Sequence, residues 1–303
     1  MSSLPEFTPL NAFPPSTGDA ISISFLTNPD IKAADDECLA GNDHASVLVN
    51  QLIRTGIPPE NLQTCLQNAT HSGNGSLVEQ LLAIGVPFDT GVLCTAIDRG
   101  ALNMLSVFLT YGWEINRETN WCTAPLLSYA IQVGAGTVVV SWFLSHGADP
   151  NASCQAGLTP LSTAISVAPL AIIQQLLNHC GPDTVFQGQL LHFAARRSDS
   201  VSVQVVQLIL RRCQPYFNAI MWDNQPLAYE CYKITGLGTP LHEAAREGRP
   251  EIAEALLREG ASTSIHDTRG RTAIELAEIA GNVEVVKVLH NLEKETASSV
   301  AKI

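Results

Sequence analysis

The clearest hydrophobic pattern lies near the C-terminus, where two short amphipathic segments follow one another between glycines. The first begins at Thr239 and Pro240, because threonine caps a helix and proline suits its first turn. It ends at Gly248, and a second periodic segment runs to Gly260, where a left-handed residue can close a helix. One helical face of the first segment carries its apolar residues, Leu241, Ala244 and Ala245. The pattern predicts a pair of packed helices.

The same pattern recurs along the chain with the spacing of a stacked repeat. Thr272 lies 33 residues after Thr239 and opens a similar segment, and Thr159 opens another upstream. Weaker copies begin near positions 64, 91, 125 and 189. An eighth copy at 30–56 carries acidic residues on its outer side, as a terminal repeat requires. The sequence therefore predicts an all-α chain with seven or eight helix pairs over residues 30–292.

The segment GTPLHEAAREG at 238–248, followed by ALLREGA at 255–261, closely resembles the ankyrin repeat. The pattern of that family reads G-x-T-P-L-H-x-A-A-x-x-G, and then L-L-x-x-G-A in the second helix. The resemblance extends, with weaker copies, over most of the chain from 30 to 292. It implies an all-α ankyrin-repeat solenoid that offers a concave face to a partner protein. It also implies a structural role for His192 and His242, whose rings bond within the stack.

One long insertion interrupts the repeat spacing. The step from position 189 to position 239 is 50 residues, about 17 more than the family period. The surplus lies at about 213–237 and is rich in aromatic residues, namely Tyr216, Phe217, Trp222, Tyr229 and Tyr232. Such a stretch either packs back on the repeats as an apolar lid or presents its rings to a partner. Outside the array, we expect a flexible N-terminal segment at 1–29 and a polar C-terminal tail at 293–303.

Composition narrows the range of functions. The net charge of −12 argues against binding to nucleic acid or to an anionic membrane, and no apolar run approaches the ~18 residues of a membrane span. Residues 1–18 show no signal-peptide pattern, so we expect a cytoplasmic or nuclear protein. The eight cysteines and the histidines lack ligand spacing, and no phosphate-binding loop or nucleophile motif occurs. We therefore expect neither a metal nor a cofactor.

The resemblance also implies where a partner would bind. Ankyrin-repeat proteins usually hold ligands along their hairpin fingers and the exposed ends of the first helices. The charged residues at such helix ends are Asp98, Arg99, Arg196, Arg197 and Arg246, and the last finger adds Arg269 and Arg271. Arg196, Arg197, Arg246, Arg269 and Arg271 would thus bring five guanidinium groups towards one end of an acidic protein.

Two interpretations of these five arginines remain open. Arginine forks match carboxylate and phosphate groups, which predicts a patch that recognises an acidic segment of a partner protein. Alternatively, the arginines pair with Glu243, Glu247 and Asp267 on a solvated surface and recognise nothing.

Three tryptophans are further candidates for partner contacts. Trp113 and Trp121 bound a predicted finger, where they either meet a partner or pack on the adjacent repeat. Trp222 lies in the insertion, where its ring either packs back on the repeats or contacts a partner.

The sequence thus favours a non-catalytic interaction module that acts as an adaptor, scaffold or inhibitor. The alternative is a small-molecule-binding protein or an unusual enzyme whose pocket is closed by the insertion. In that case acid and base groups from several repeats would transfer protons. The candidates are Asp98, Glu114, Asp149 and His71.

Overall fold

The structure is a computed structural model that describes residues 28–213 and 216–300, with side chains up to Asn291. All regular secondary structure in these ranges is helical, which confirms the all-α class. The predicted flexible segment 1–29 lies outside the described residues except for its last two positions. The C-terminal helix runs through the predicted tail as far as Val300.

Eight helix pairs follow one another through the described ranges. In order they are α1 (Pro29–Ala40) and α2 (His44–Arg54), α3 (Gln63–Ser72) and α4 (Gly75–Ala83), α5 (Thr90–Asp98) and α6 (Leu102–Thr110), α7 (Leu127–Gln132) and α8 (Thr137–Ser145), α9 (Pro160–Val167) and α10 (Leu170–His179), α11 (Leu190–Arg196) and α12 (Ser202–Cys213), α14 (Pro240–Arg246) and α15 (Pro250–Arg258), and α16 (Ala273–Ala280) and α17 (Val283–Val300). The insertion adds α13 (Pro226–Tyr232), and short 3-10 helices lie at Pro59–Leu62 and Lys233–Thr235. The pair α1–α2 is the eighth copy predicted near the N-terminus.

The chain divides into two compact units. The first contains the described residues up to Thr119 together with Tyr129–Ala148, and the second contains Asn120–Ser128 and everything from Asp149 onward. Within the first unit, the leading helices α1, α3 and α5 pack in succession. Within the second, α9, α11, α14 and α16 do the same, while α12, α15 and α17 form a parallel row. Each unit is therefore a stack of helix pairs with local contacts.

Three leading helices of the second unit begin after a threonine, namely Thr159 before α9, Thr239 before α14 and Thr272 before α16. Thr159 and Ser162 form a capping box, in which each side chain bonds the backbone of the other, and Thr272 and Glu275 form a second one. These boxes give hydrogen-bond partners to amide groups that the first turn of a helix leaves unpaired. The apolar faces of the helices pack together and form the core, in which side chains such as Leu161 are fully buried.

Buried histidines tie one repeat to the finger of the next. The Thr239 N–H donates to His242 Nδ1 over 3.1 Å, which leaves the ring proton on Nε2. That Nε2 then donates to the Arg271 carbonyl over 3.1 Å, and His192 Nε2 donates to the Ala219 carbonyl over the same distance. Burial lowers the pKa of His192 to about 4 and lowers that of His242 as well. The structural role that the resemblance implied for both histidines is thus visible in these bonds.

The insertion is an enlarged fingertip. In two ordinary fingers, an N–H to carbonyl bond from Cys154 to Leu158, and from Asp267 to Arg271, encloses three tip residues, 155–157 and 268–270. The equivalent bond joins the Met221 N–H to the Gly238 carbonyl over 2.9 Å and encloses residues 222–237. The inserted chain therefore starts later than the predicted position 213 and leaves the repeats at a single point.

The interior of this fingertip is filled by Trp222. Its side chain is fully buried and its ring centroid lies 5.1 Å from that of Tyr232. Its backbone adopts a φ of 62°, which is uncommon for a residue with a side chain, so the fold holds this ring inward at some conformational cost. Of the two alternatives for these rings, the inward one holds for Trp222, which packs within the fingertip, whereas Tyr216 is 88% exposed.

Acidification should unfold this protein partly through His192. The folded-state pKa of about 4 lies below the ordinary value of 6.5, so the unfolded chain takes up the proton first as the pH falls. The stabilisation is complete above pH 6.5 and declines towards pH 4. We expect the free energy of unfolding, measured by urea titration, to drop by about 2 kcal/mol between pH 7 and pH 5 through this group. His192→Gln, which can still donate to Ala219, should show a flatter pH dependence, and an unchanged slope would contradict this role.

Removal of the Trp222 ring should loosen the inserted fingertip. Trp222→Ala deletes a fully buried side chain, a change that costs roughly 3–5 kcal/mol. We expect a lower melting temperature and faster trypsin cleavage after Lys233, which lies exposed in the same fingertip. Trp121→Ala is the matched control because its ring is 39% exposed. Equal cleavage rates in the two variants would argue against Trp222 as the centre of this packing.

Candidate functional site

Four arginines of the second unit lie around two buried carboxylates, Glu243 and Asp267. Arg196 and Arg246 end helices α11 and α14, and Arg269 and Arg271 lie on the finger between α15 and α16. We call these four residues the arginine cluster. Gly236, near the end of the inserted fingertip, lies against three of them, Arg246, Arg269 and Arg271.

A buried carboxylate holds the first two arginines. The Glu243 side chain is 2% exposed and accepts two hydrogen bonds from Arg246 Nη1, at 3.1 and 3.0 Å. Arg196 Nε lies 3.7 Å from the same carboxylate, so α11 and α14 share one buried negative charge. Removal of such a charge from water is tolerated only because it is paired and hydrogen-bonded.

A second buried carboxylate shapes the finger. Asp267 accepts the backbone N–H groups of Arg269 and Arg271 at 2.8 and 2.9 Å, and Arg271 also donates from Nε and Nη2 at 2.9 and 2.6 Å. Burial alone would raise the pKa of Asp267, but these hydrogen bonds outweigh it and lower the pKa below its ordinary value. The carboxylate is therefore ionised at neutral pH and fixes the direction of the Arg271 guanidinium.

Gly236 connects the two halves of the arginine cluster. Its carbonyl accepts from Arg246 Nη2 at 2.8 Å. On its other side, a Cβ atom would lie 3.1 Å from Arg269 Cδ and 3.0 Å from Asp267 Oδ2, and would overlap the Arg271 guanidinium. Its φ of 89° is also one that glycine adopts readily and other residues do not. Both facts require glycine at this position.

Part of the arginine cluster has no negatively charged partner among the described residues. Arg246 and Arg271 pair with the buried carboxylates of Glu243 and Asp267, and Arg196 also lies beside Glu243, whereas Arg269 makes no ion pair. The exposed Arg269 side chain and the Nη1 atom of Arg271 have no acceptor within the residues that the structure describes. The pairing alternative is thus correct for Glu243 and Asp267, whereas Glu247 makes no ion pair in the same ranges.

Arg197 requires a correction, because its side chain is buried and faces the preceding repeat. Its guanidinium donates to the carbonyls of Ile165 and Ala168, at 2.6 and 3.0 Å, and pairs with Asp199. The acceptors lie at the C-terminal end of α9, where a cation is favoured by the unpaired carbonyls. Arg197 therefore joins two repeats and is not part of the exposed surface predicted for it.

The predicted tryptophans occupy three different environments. Trp222 is fully buried, so its proposed partner contact is wrong for this structure. Trp113 is half-buried and stacks on Trp142 with ring centroids 6.3 Å apart, as expected from the packing alternative. Trp121 is 39% exposed, and its partner contact stays a prediction.

The remaining predicted residues lie together in the first unit, at the end of α5. Asp98 accepts the Tyr129 hydroxyl at 2.8 and 2.9 Å, and burial together with this bond raises the pKa of Tyr129. Arg99 is exposed, with its guanidinium over Gly73 at the end of α3. The Asp98 carboxylate is thus hydrogen-bonded to the Tyr129 hydroxyl. This bond alone does not indicate that Asp98 transfers protons.

No group of three or more metal-ligating side chains is found in the described part of the chain. None of the helices in that part is long and apolar enough to cross a lipid bilayer. Sequence reasoning missed Gly236, and the only signal for it was an additional glycine two positions before Gly238.

A methyl group on Gly236 should disturb the arginine cluster. Gly236→Ala meets both an unfavourable φ and an overlap with Arg271, whereas Gly270→Ala meets a φ of 77° with open space around its Cβ. The backbone penalty common to both is about 1–2 kcal/mol. We therefore expect Gly236→Ala to lower the free energy of unfolding by more than Gly270→Ala does, as measured by urea titration. Equal losses would show that Arg271 moves aside without consequence.

The comparison with known families agrees with this geometry. A family model described as ankyrin repeats (3 copies) matches residues 191–298. All four members of the arginine cluster lie within the matched range. The helix pairs, the capping threonines and the bonds from each histidine to the next finger provide the structural counterpart of that match. Residues 191–298 therefore carry ankyrin repeats.

Proposed function

We propose that this protein is a non-catalytic interaction module, an adaptor, scaffold or inhibitor, that binds an acidic segment of a partner protein at the arginine cluster. Ankyrin repeats in general support interactions between proteins. The observation that carries the finer proposal is the exposed Arg269 side chain next to Nη1 of Arg271, both of which have no acceptor in the described residues.

The charge contrast favours an acidic partner. The chain as a whole carries a net charge of −12. It therefore attracts basic proteins over most of its surface and repels them only at the arginine cluster. An acidic segment is repelled by most of this protein and attracted by the arginine cluster. The contrast therefore selects both the partner's charge and its place of contact.

Two side chains of the arginine cluster are also preorganised for binding. Glu243 and Asp267 restrain the side chains of Arg246 and Arg271 through paired hydrogen bonds. A free arginine loses up to about 2 kcal/mol of side-chain entropy when it is ordered. Restrained guanidinium groups lose less of it on binding, which strengthens their contribution to affinity.

The inserted fingertip supplies apolar surface next to the charge. Ile234, two residues before Gly236, is 77% exposed, and Leu227 on α13 is 50% exposed. We therefore propose an acidic segment that also carries an apolar side chain. No observation in the described residues favours the small-molecule or enzyme alternative, which stays a prediction.

Charge reversal at Arg269 should abolish this selectivity. We expect random peptides selected on phage against the immobilised protein to be enriched in aspartate and glutamate, because the exposed guanidinium groups of the arginine cluster attract carboxylates. Arg269→Glu should lose the enrichment at least fivefold. Arg258→Glu, which changes an exposed arginine on α15 by the same charge, should retain it. Selection without acidic enrichment by the unmodified protein, or equal loss in both variants, would overturn the proposed function.

A further inference from the structure

We propose that the acidic segment of the partner binds as an amphipathic α-helix, packed on an exposed apolar stripe of the inserted fingertip. The inference rests on the proposed function, since it specifies the conformation and the apolar pattern of the segment that Arg269 attracts. It follows from the spacing of the stripe, from its position beside Arg269 and from the binding modes that the surrounding surface allows.

The apolar stripe consists of Leu227, Cys231 and Ile234, which follow one another on α13 and the short 3-10 helix after it. Leu227 is 50% exposed, Ile234 is 77% exposed, and Cys231 is exposed as well. Their spacing of four and then three residues places all three on one side of a helix. Tyr232 lies on a different side and packs on the buried Trp222. The helix thus buries one side in the fingertip and leaves an apolar side in contact with solvent.

Hydrogen bonds to the next finger place this stripe beside Arg269. The Thr268 hydroxyl donates to the Lys233 carbonyl over 2.5 Å and accepts from the Leu237 N–H over 2.8 Å. One side chain therefore fastens both ends of the short loop that contains Ile234. Arg269 follows Thr268 directly and makes no ion pair within the described residues. An apolar side chain and a cation without a negative partner are thus presented side by side.

The surface around the stripe selects among the usual ways in which proteins bind a peptide. A peptide that binds as an additional β-strand needs the open edge of a sheet, and the part of the chain that the structure describes contains no strand. A proline-rich segment needs a groove lined with aromatic rings, whereas the largest ring of the insertion, Trp222, is fully buried. A helix needs a row of apolar side chains at helical spacing, which the stripe provides. The stripe therefore fits a partner helix.

The charges around the stripe determine where the acidic residues of that helix lie. Lys233 pairs with Glu230 over 2.6 Å, whereas Arg269 has no such partner in the described ranges. A helix whose apolar side chains cover Leu227 and Ile234 therefore meets an unpaired positive charge at the Ile234 end of the stripe. An aspartate or glutamate beyond its last apolar residue can accept hydrogen bonds from the Arg269 fork. The expected partner has an apolar stripe about two helical turns long, followed by an acidic residue.

Binding can be measured by fluorescence anisotropy with the full chain and four labelled peptides of equal length. The first, EEALAQALAQLAEE, has leucines at the spacing of the stripe and glutamates at both ends. The second, EEALALQALAQAEE, has the same composition, but its leucines lie on different sides of the helix. The third, QQALAQALAQLAQQ, lacks the glutamates. The fourth, EEALAQPLAQLAEE, interrupts the helix with proline.

We expect the first peptide to bind at least tenfold more tightly than each of the others, because only the first combines an uninterrupted helical stripe with acidic ends. If the second or the fourth peptide binds as tightly, the helix inference fails while the proposed function stands. If the third peptide binds as tightly, acidic residues are not recognised, and the proposed function fails together with the inference. If none of the four binds, both fail.

Variants of the stripe separate docking from folding. Leu227→Gln and Ile234→Gln each replace an exposed apolar side chain, so each should weaken binding of the first peptide about fivefold without a change in melting temperature. Arg269→Gln should reduce the advantage of the first peptide over the third. Val185→Gln is the matched control, because Val185 is 83% exposed between α10 and α11, and this variant should bind as the unmodified protein does. Full binding by both stripe variants would show that the helix does not dock there.

Discussion

Hydrogen bonds from one repeat to the backbone carbonyls of its neighbour hold each stack together. The ring of His242 donates to the Arg271 carbonyl of the next finger, and Arg197 donates to the carbonyls that end α9. Buried carbonyl groups need donors, so each repeat completes its hydrogen bonding only with its neighbour in place. This dependence positions the fingers, and the fingers position the residues available to a partner.

The arginine cluster shows how structure and recognition share the same residues. Glu243 and Asp267 are buried charges whose removal would leave guanidinium groups without partners. Their pairing uses part of each arginine and leaves the remainder in a set orientation. Because Arg269 forms no ion pair within the described residues, the restraint does not neutralise the surface. A local positive region therefore persists on a chain with a net charge of −12.

The insertion extends a fingertip without disturbing the stack beneath it. The bond between the Met221 N–H and the Gly238 carbonyl closes the finger as the equivalent bonds close shorter ones. All the additional chain therefore projects from one point, and burial of Trp222 gives it a core of its own. Its last residues reach the neighbouring finger, where the Leu237 N–H donates to the Thr268 hydroxyl over 2.8 Å. This contact brings Gly236 to the arginine cluster.

The sequence by itself determined the elements that depend on local physics. Capping threonines, helix-ending glycines and the spacing of apolar residues were sufficient to predict the helix pairs, their number as seven or eight, and the presence of an insertion, because each signal acts within a few residues. Only the tertiary structure decided which predicted site residues are exposed. Arg196 and Arg197 are adjacent in sequence, yet one reaches the arginine cluster and the other caps α9, since the geometry of the neighbouring repeat selects which side chain turns inward. The same holds for Trp222, which is buried against Tyr232 of the same insertion, and for Gly236, which lies against Arg269 and Arg271 of the next finger. No local pattern signals either contact.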